Sequence, residues 1–280
     1  MSTVEKAFLK SLEEDDKNKS EKTSVESNGE IIAESDHSVT ESSRSNVMTQ
    51  PAASRKSIAN MEKRATYSIN ELEEKRLIHL DMKDKRLLNH YRNLRTKLLA
   101  KGNSENFVTM VTSVVPDSSS ALVSANLAAT FSLDESKTSM LVEADIVERP
   151  LNKLFEMEGQ NGLIDYLESE NDGVNSCMHK TGVKRLGFVP SGKVRECSAE
   201  YFTSERMETF IKELVERYPD RFPIINAPSI LSSADTRILL DLCDQVILVV
   251  PYGGCSEEEL IQASVTIGEE KLSGLVLNNF

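Results

Sequence analysis

The chain has 280 residues, 33 of them basic and 45 acidic, for a formal charge of −12. That balance excludes a protein built mainly to grip nucleic acid or an anionic membrane surface, since both need a surplus of Lys and Arg. Tryptophan is absent, and the four cysteines (Cys177, Cys197, Cys243 and Cys255) form no CxxC pair, so reduced thiols are expected and not a disulfide framework or zinc site.

The opening residues, MSTVEKAFLKSLEEDD, carry charges throughout and do not read as a signal peptide. No apolar run approaches the roughly 20 residues of a membrane span, so a cytoplasmic location is expected. Residues 1–12 fit one short amphipathic helix, with Val4, Ala7, Phe8 and Leu12 on one face, or equally a frayed tail. Residues 13–66 form a polar linker, rich in Ser, Glu and Lys, expected to be disordered because it offers too little apolar surface to offset chain entropy. A folded domain is expected over residues 67–280. Its first part, residues 70–100, reads as one or two helices from the spacing of Leu72, Leu77, Leu80, Leu87, Leu88, Tyr91, Leu94 and Leu98.

From there strands and helices alternate. Strands are expected at 107–112, 138–142, 185–189, 222–225, 245–250 and 274–277. Helices are expected at 121–132, 163–167, 205–217, 236–243 and 257–267. β-branched runs alternating with amphipathic helices imply an α/β fold, a mostly parallel sheet flanked by helices on both faces. Ligands in such folds bind beyond the carboxyl ends of the strands.

Three strand ends therefore matter. The first runs into Ser113–Ser120, SVVPDSSS, and then a helix, the position of a phosphate-binding loop. Such a loop needs glycines for close backbone approach, amides at the helix start, a lysine, and a hydroxyl for magnesium. This loop has no glycine and no lysine, and Asp117 would set a carboxylate against a triphosphate. The second strand ends with Glu143 and Asp145, two carboxylates that either bind magnesium or are ordinary loop acids. The third ends at Asn226, where a neutral amide is a poor magnesium partner. Asp235 follows the third strand end and reads either as an acid of that site or as the cap of the helix near Thr236. His37, His79, His90 and His179 show no triad or metal spacing.

These segments, in this order, resemble the bacterial tyrosine kinases of capsular and exopolysaccharide synthesis, a branch of the deviant-Walker P-loop ATPases related to MinD and ParA. The resemblance spans roughly residues 67–280. It is carried by YRNLRTKLL at 91–99, TSVVPDSSSALVSANLA at 112–128, MLVEADIVERPLNKLF at 140–155, GLIDYL at 162–167, FVPSG at 188–192, FPIINAPSILSSADTRIL at 222–239, DQVILVV at 244–250 and GLVLNN at 274–279. It implies a P-loop NTPase-like three-layer sandwich. It also marks the departures. In the loop of Pro116, Asp117, Ser118, Ser119, Ser120 and Ala121, Ser120 takes the lysine position and Ala121 that of the magnesium hydroxyl. Val115, Asp117 and Ser119 fall where the family usually has glycine. Glu143 replaces an Asp, Asp145 keeps one, and Asn226 replaces another. Asn278 matches an adenine-contact position. The oligomerisation motif Glu-x-x-Arg-x-x-Arg appears as Asn89, Arg92 and Arg95, with both arginines kept and the acid lost. The last tyrosine is Tyr252, so the family's C-terminal tyrosine cluster is missing.

The expectation is a catalytically inactive, kinase-like regulatory or scaffold subunit of exopolysaccharide or capsule assembly, with no catalytic residue, cofactor or metal. Its expected partners are a membrane polysaccharide co-polymerase, a true kinase paralogue, or copies of itself, which would hold it at the inner membrane. Val4, Phe8, Asn89, Arg92 and Arg95 would serve those contacts. One alternative is an active tyrosine autokinase using ATP and Mg2+. Another is a MinD- or ParA-like positioning ATPase.

Overall fold

The computed structural model describes residues 67–102, 106–116, 119–195 and 199–279, with Ser119 described by its backbone alone. The expected helix at 1–12, with Val4 and Phe8, and the linker at 13–66 lie outside the described residues, as do Asp117 and Ser118.

The first two helices are separate. α1 (Ile69–Glu74) starts with a capping box, in which Ser68 and Glu71 satisfy each other's backbone N–H groups. α2 (Lys85–Lys101) is capped by Asp84, whose carboxylate accepts from the N–H groups of Arg86 and Leu87 at 2.9 and 3.1 Å. Between them an irregular stretch buries Leu77 and Ile78. It is tied down by Asn126, whose side chain accepts from Ile78 N–H at 2.8 Å and donates to the Arg76 carbonyl at 3.1 Å.

The alternating part follows: β1 (Thr109–Ser113), α3 (Ser119–Ser132), β2 (Thr138–Glu143), α4 (Pro150–Leu154), α5 (Leu163–Glu168), a 3-10 turn at Val174–Cys177, β3 (His179–Lys180), β4 (Leu186–Val189), α6 (Ala199–Phe202), α7 (Glu205–Glu216), β5 (Arg221–Asn226), α8 (Ala234–Asp241), β6 (Gln245–Pro251), α9 (Glu257–Ile267) and β7 (Leu272–Asn278). The strand order is β3-β4-β2-β5-β1-β6-β7, parallel except for β3 against β4. This is the α/β sandwich of P-loop NTPases. Every strand and helix expected from residue 70 onward is present, with ends shifted by a few residues. The short elements α4, β3 and α6 and the 3-10 turn are additions, since so few residues show no period.

Alternation along the strands feeds two cores. Met110, Val142, Ile225, Val246 and Leu248 face one side with Phe210, Leu214 and Leu239. Val111, Leu141, Ile224, Ile247 and Val249 face the other with Leu98, Leu127 and Phe131. Truncating one such Leu to Ala would cost about 2–5 kcal/mol. From β1 the chain moves outward through β2 to β4, then returns to insert β5 beside β1 and proceeds to β6. The reversal leaves a crevice at the carboxyl ends of β2, β5 and β1, where a doubly wound sheet takes its ligand.

Candidate functional site

A cavity of about 820 Å³ occupies that crevice. Its lining comes from four places: Pro116 and Ser120 around the start of α3, Asp145–Glu148 after β2, Pro150 and Lys153 on α4, and Pro228 to Asp235 after β5. The walls are held in place by backbone bonds between strand ends. Ile230 N–H reaches the Ser113 carbonyl at 3.0 Å, and Ala144 N–H reaches the Asn226 carbonyl at 2.9 Å. Ser229 Oγ donates to the Val114 carbonyl at 3.0 Å.

Beneath the cavity lies a closed polar network. Glu143 and Asn226 are both 0% exposed. Asn226 Nδ2 donates to Glu143 Oε1 at 2.8 Å. The same oxygen accepts from Asp145 N–H at 3.1 Å, and Oε2 accepts from Leu151 N–H at 2.6 Å. Ser124 Oγ lies 3.1 Å from Asn226 Oδ1 and 2.8 Å from the Ser120 carbonyl. α4 explains the Leu151 contact. Its N-cap, Arg149, sits in left-handed backbone at φ 49° and supplies no side-chain cap. Glu143 reaches over from β2 to satisfy an amide that would otherwise be an orphan.

Both Glu143 oxygens are thus taken by N–H donors. Burial pushes its carboxyl up to about 8. The bonds from Asn226 and Leu151 pull the other way, and the Asp145 charge adds to the rise. At neutral pH the protonated acid is therefore favoured over the carboxylate. Asp145 is different. It lines the cavity, accepts from Glu148 N–H at 2.9 Å, and is raised chiefly by burial.

Glu143 and Asp145 do not face one common space. Glu143 points into the fold, and only Asp145 faces the cavity. Ser120, at the lysine position, lines the cavity at 4% exposure. Ala121 does not; it packs into the core beside Val111 and Leu127. Asn278 stands at the end of β7, outside the cavity lining, with its carbonyl accepting Tyr252 N–H at 2.8 Å. Asp235 is not a cap: Ser233 holds that position, and Asp235 lies in the first turn of α8, on the cavity wall. A Mg-nucleotide is not matched by these residues. The buried acid meets N–H donors at both oxygens and does not line the cavity, Ala121 has no hydroxyl, and the lysine position holds Ser120.

On α2, Asn89 is exposed and Arg92 half-buried. Arg95 turns inward, donating to the Thr130 carbonyl on α3 at 2.9 Å, and its burial lowers its pKa against the pull of Asp134. Sequence reasoning did not anticipate Ser124, Leu151, Lys153, Ser229 or Ser232. Of these only α4 left a signal, a proline suited to a first helical turn.

No family model matches the chain. It is similar to the tyrosine-protein kinase YwqD of Bacillus subtilis (strain 168), 27% identical over 191 residues, which cover 67% of this chain and 79% of that protein. It is also similar to the tyrosine-protein kinase etk of Escherichia coli (strain K12), 26% identical over 193 residues, 66% of this chain but only 26% of the relative. Among solved structures, the kinase domain of Escherichia coli tyrosine kinase ETK shares the fold, with a TM-score of 0.64 at 22% identity over 82% of this chain and 94% of that one.

Proposed function

We propose that this chain, whose homologues are bacterial tyrosine-protein kinases, is a catalytically inactive member of that group, acting as a regulatory or scaffold subunit in exopolysaccharide or capsule assembly. The observation that carries the proposal is the contact between Glu143 and Asn226 at 2.8 Å. The two departures from the family's acids meet in one buried hydrogen bond. Together they replace a charged, metal-organising pair with a neutral, self-satisfied one. Phosphoryl transfer depends on positioning and charge neutralisation, so losing the lysine, the hydroxyl and these acids together removes the means of catalysis.

Its partner in this reading is a membrane polysaccharide co-polymerase or a catalytically competent kinase paralogue. Among the described residues no helix is long and apolar enough to cross a membrane, so attachment to the inner membrane would run through that partner. The rival reading, an active autokinase with an unorthodox site, draws support from the retained cavity volume. Isothermal titration of the full chain with Mg-ATP separates them. No binding in the micromolar range is expected, and micromolar binding would overturn the inactive reading.

A further inference from the structure

A second cavity lies apart from the strand-end crevice, and the two linings share no residue. It encloses about 290 Å³ between the stretch that joins α1 to α2, the first turns of α2, and α3. Its frame is fixed in advance. Arg76, in left-handed backbone at φ 56°, turns the chain out of α1, and Leu77 N–H closes that turn on the Leu72 carbonyl at 2.8 Å. Asn126 on α3 holds the same stretch at Arg76 and Ile78, which engages its amide at both ends. Leu77, Met82, Leu87 and Tyr91 give the cavity apolar walls.

One lining residue is left over. His79 is only 7% exposed, and neither of its ring nitrogens has a hydrogen-bond partner among the described residues. Its buried polar neighbours are satisfied, since Tyr91 bonds through its hydroxyl to the Asn126 side chain. A buried polar group without a partner is costly, so a molecule that supplies one is favoured over an equally apolar molecule that does not. An imidazole in its neutral form offers one N–H donor and one acceptor, and a hydroxyl complements either. The charges around the cavity balance, with Glu73 and Asp84 against Arg76 and Lys83, so neither an anion nor a cation is selected. The volume stands at the small end of ligand pockets, which start at about 300 Å³.

We propose that this cavity is a binding site for a small uncharged molecule with an apolar body and one hydroxyl, a phenol being the simplest case, and that His79 bonds the hydroxyl. The occupant would bridge the start of α2 and the stretch before it, both of which rest on α3. The site stands whether or not the strand-end cavity takes a nucleotide.

The test follows the histidine rings of the full chain by proton–carbon NMR while p-cresol, toluene or benzoate is added. The His79 signals are those missing from His79→Phe. p-Cresol is expected to move them saturably, with an affinity about 5–10-fold above that of toluene, and benzoate is expected to bind no better than toluene. In His79→Phe, followed by saturation transfer to the ligands, the advantage of p-cresol should vanish while toluene still binds. Unmoved His79 signals, equal affinities for p-cresol and toluene, or an advantage kept in His79→Phe would each overturn the proposal. Leu87→Trp gives a second test that does not depend on changing a buried residue, since Leu87 is 40% exposed. The larger ring should close the cavity to all three probes, and undiminished p-cresol binding in that variant would place the ligand elsewhere and overturn the proposal.

Discussion

The floor and the walls of the strand-end cavity were built to different standards. The floor, Glu143 with Asn226 and Ser124, is fully buried, and the Glu143 carboxyl meets a donor at each oxygen. The walls are partly open and collect unlike charges, with Asp145, Glu148 and Asp235 facing Lys153. A buried polar group without a partner costs a large part of a domain's stability, whereas an exposed charge costs little either way. A floor can therefore change only in matched steps. A wall is free to drift. On the inactive reading proposed above, the change lies in the wall as scattered substitutions and in the floor as a complementary pair.

The largest effect should come from breaking the floor alone. Asn226→Asp would remove the amide donor that now bonds Glu143 at 2.8 Å and set a second acid beside it in a fully buried place. A loss of about 3–5 kcal/mol in urea unfolding is expected, with much of it recovered when Glu143→Gln is added. Two independent losses, with no recovery in the double variant, would show that the pair is not coupled.

The next effect is a dependence on pH. The folded carboxyl of Glu143 titrates at about 8, above its ordinary value of 4.5, so the folded state holds a proton that the unfolded state has released. Stability is then greatest below the ordinary value and falls as pH rises toward and through about 8. Asp145, also raised, acts in the same direction. Between about pH 6 and about pH 8 the Glu143 contribution should fall by roughly 2 kcal/mol. Denaturant titrations at the two pH values should show this slope in the natural chain and a flatter one in Glu143→Gln. A slope unaltered by that substitution would place the titrating group elsewhere.

The smallest effect belongs to the wall. Ser120→Lys restores one residue of a phosphate loop, but it leaves Ala121 in the core and the floor unchanged. Stability should shift by no more than about 1 kcal/mol, read as a melting temperature, and calorimetry should still find no Mg-ATP binding. Recovery of binding by this one change would mean that the wall, and not the floor, decides.

The difference between floor and wall also sets what the sequence could reveal. β1, β2, β5 and β6 were legible because continuous apolar, β-branched runs mark strands buried on both faces. α7 was legible because Met207, Phe210, Ile211 and Leu214 keep the helical period. Ser120, Asp145 and Asn226 could be placed at strand ends by counting along those elements. The Glu143–Asn226 bond could not, because it joins residues 83 apart through the insertion of β5 beside β2. The inward turn of Ala121 was hidden for a related reason. α3 is apolar on nearly every side, so its sequence does not say which face meets the cavity. Asp235 misled because an acid at a helix start fits the cap and the first turn equally well.

Arg95 carries a consequence for α2. A helix held only by apolar side chains can roll about its own axis, since one leucine contact substitutes readily for another. The guanidinium pinned to the Thr130 carbonyl removes that freedom. The outward row of Arg86, Asn89, His90, Asn93 and Lys97 is therefore presented at one bearing relative to the sheet. Whatever docks along α2 meets a surface already set at its angle, as a key meets a keyway.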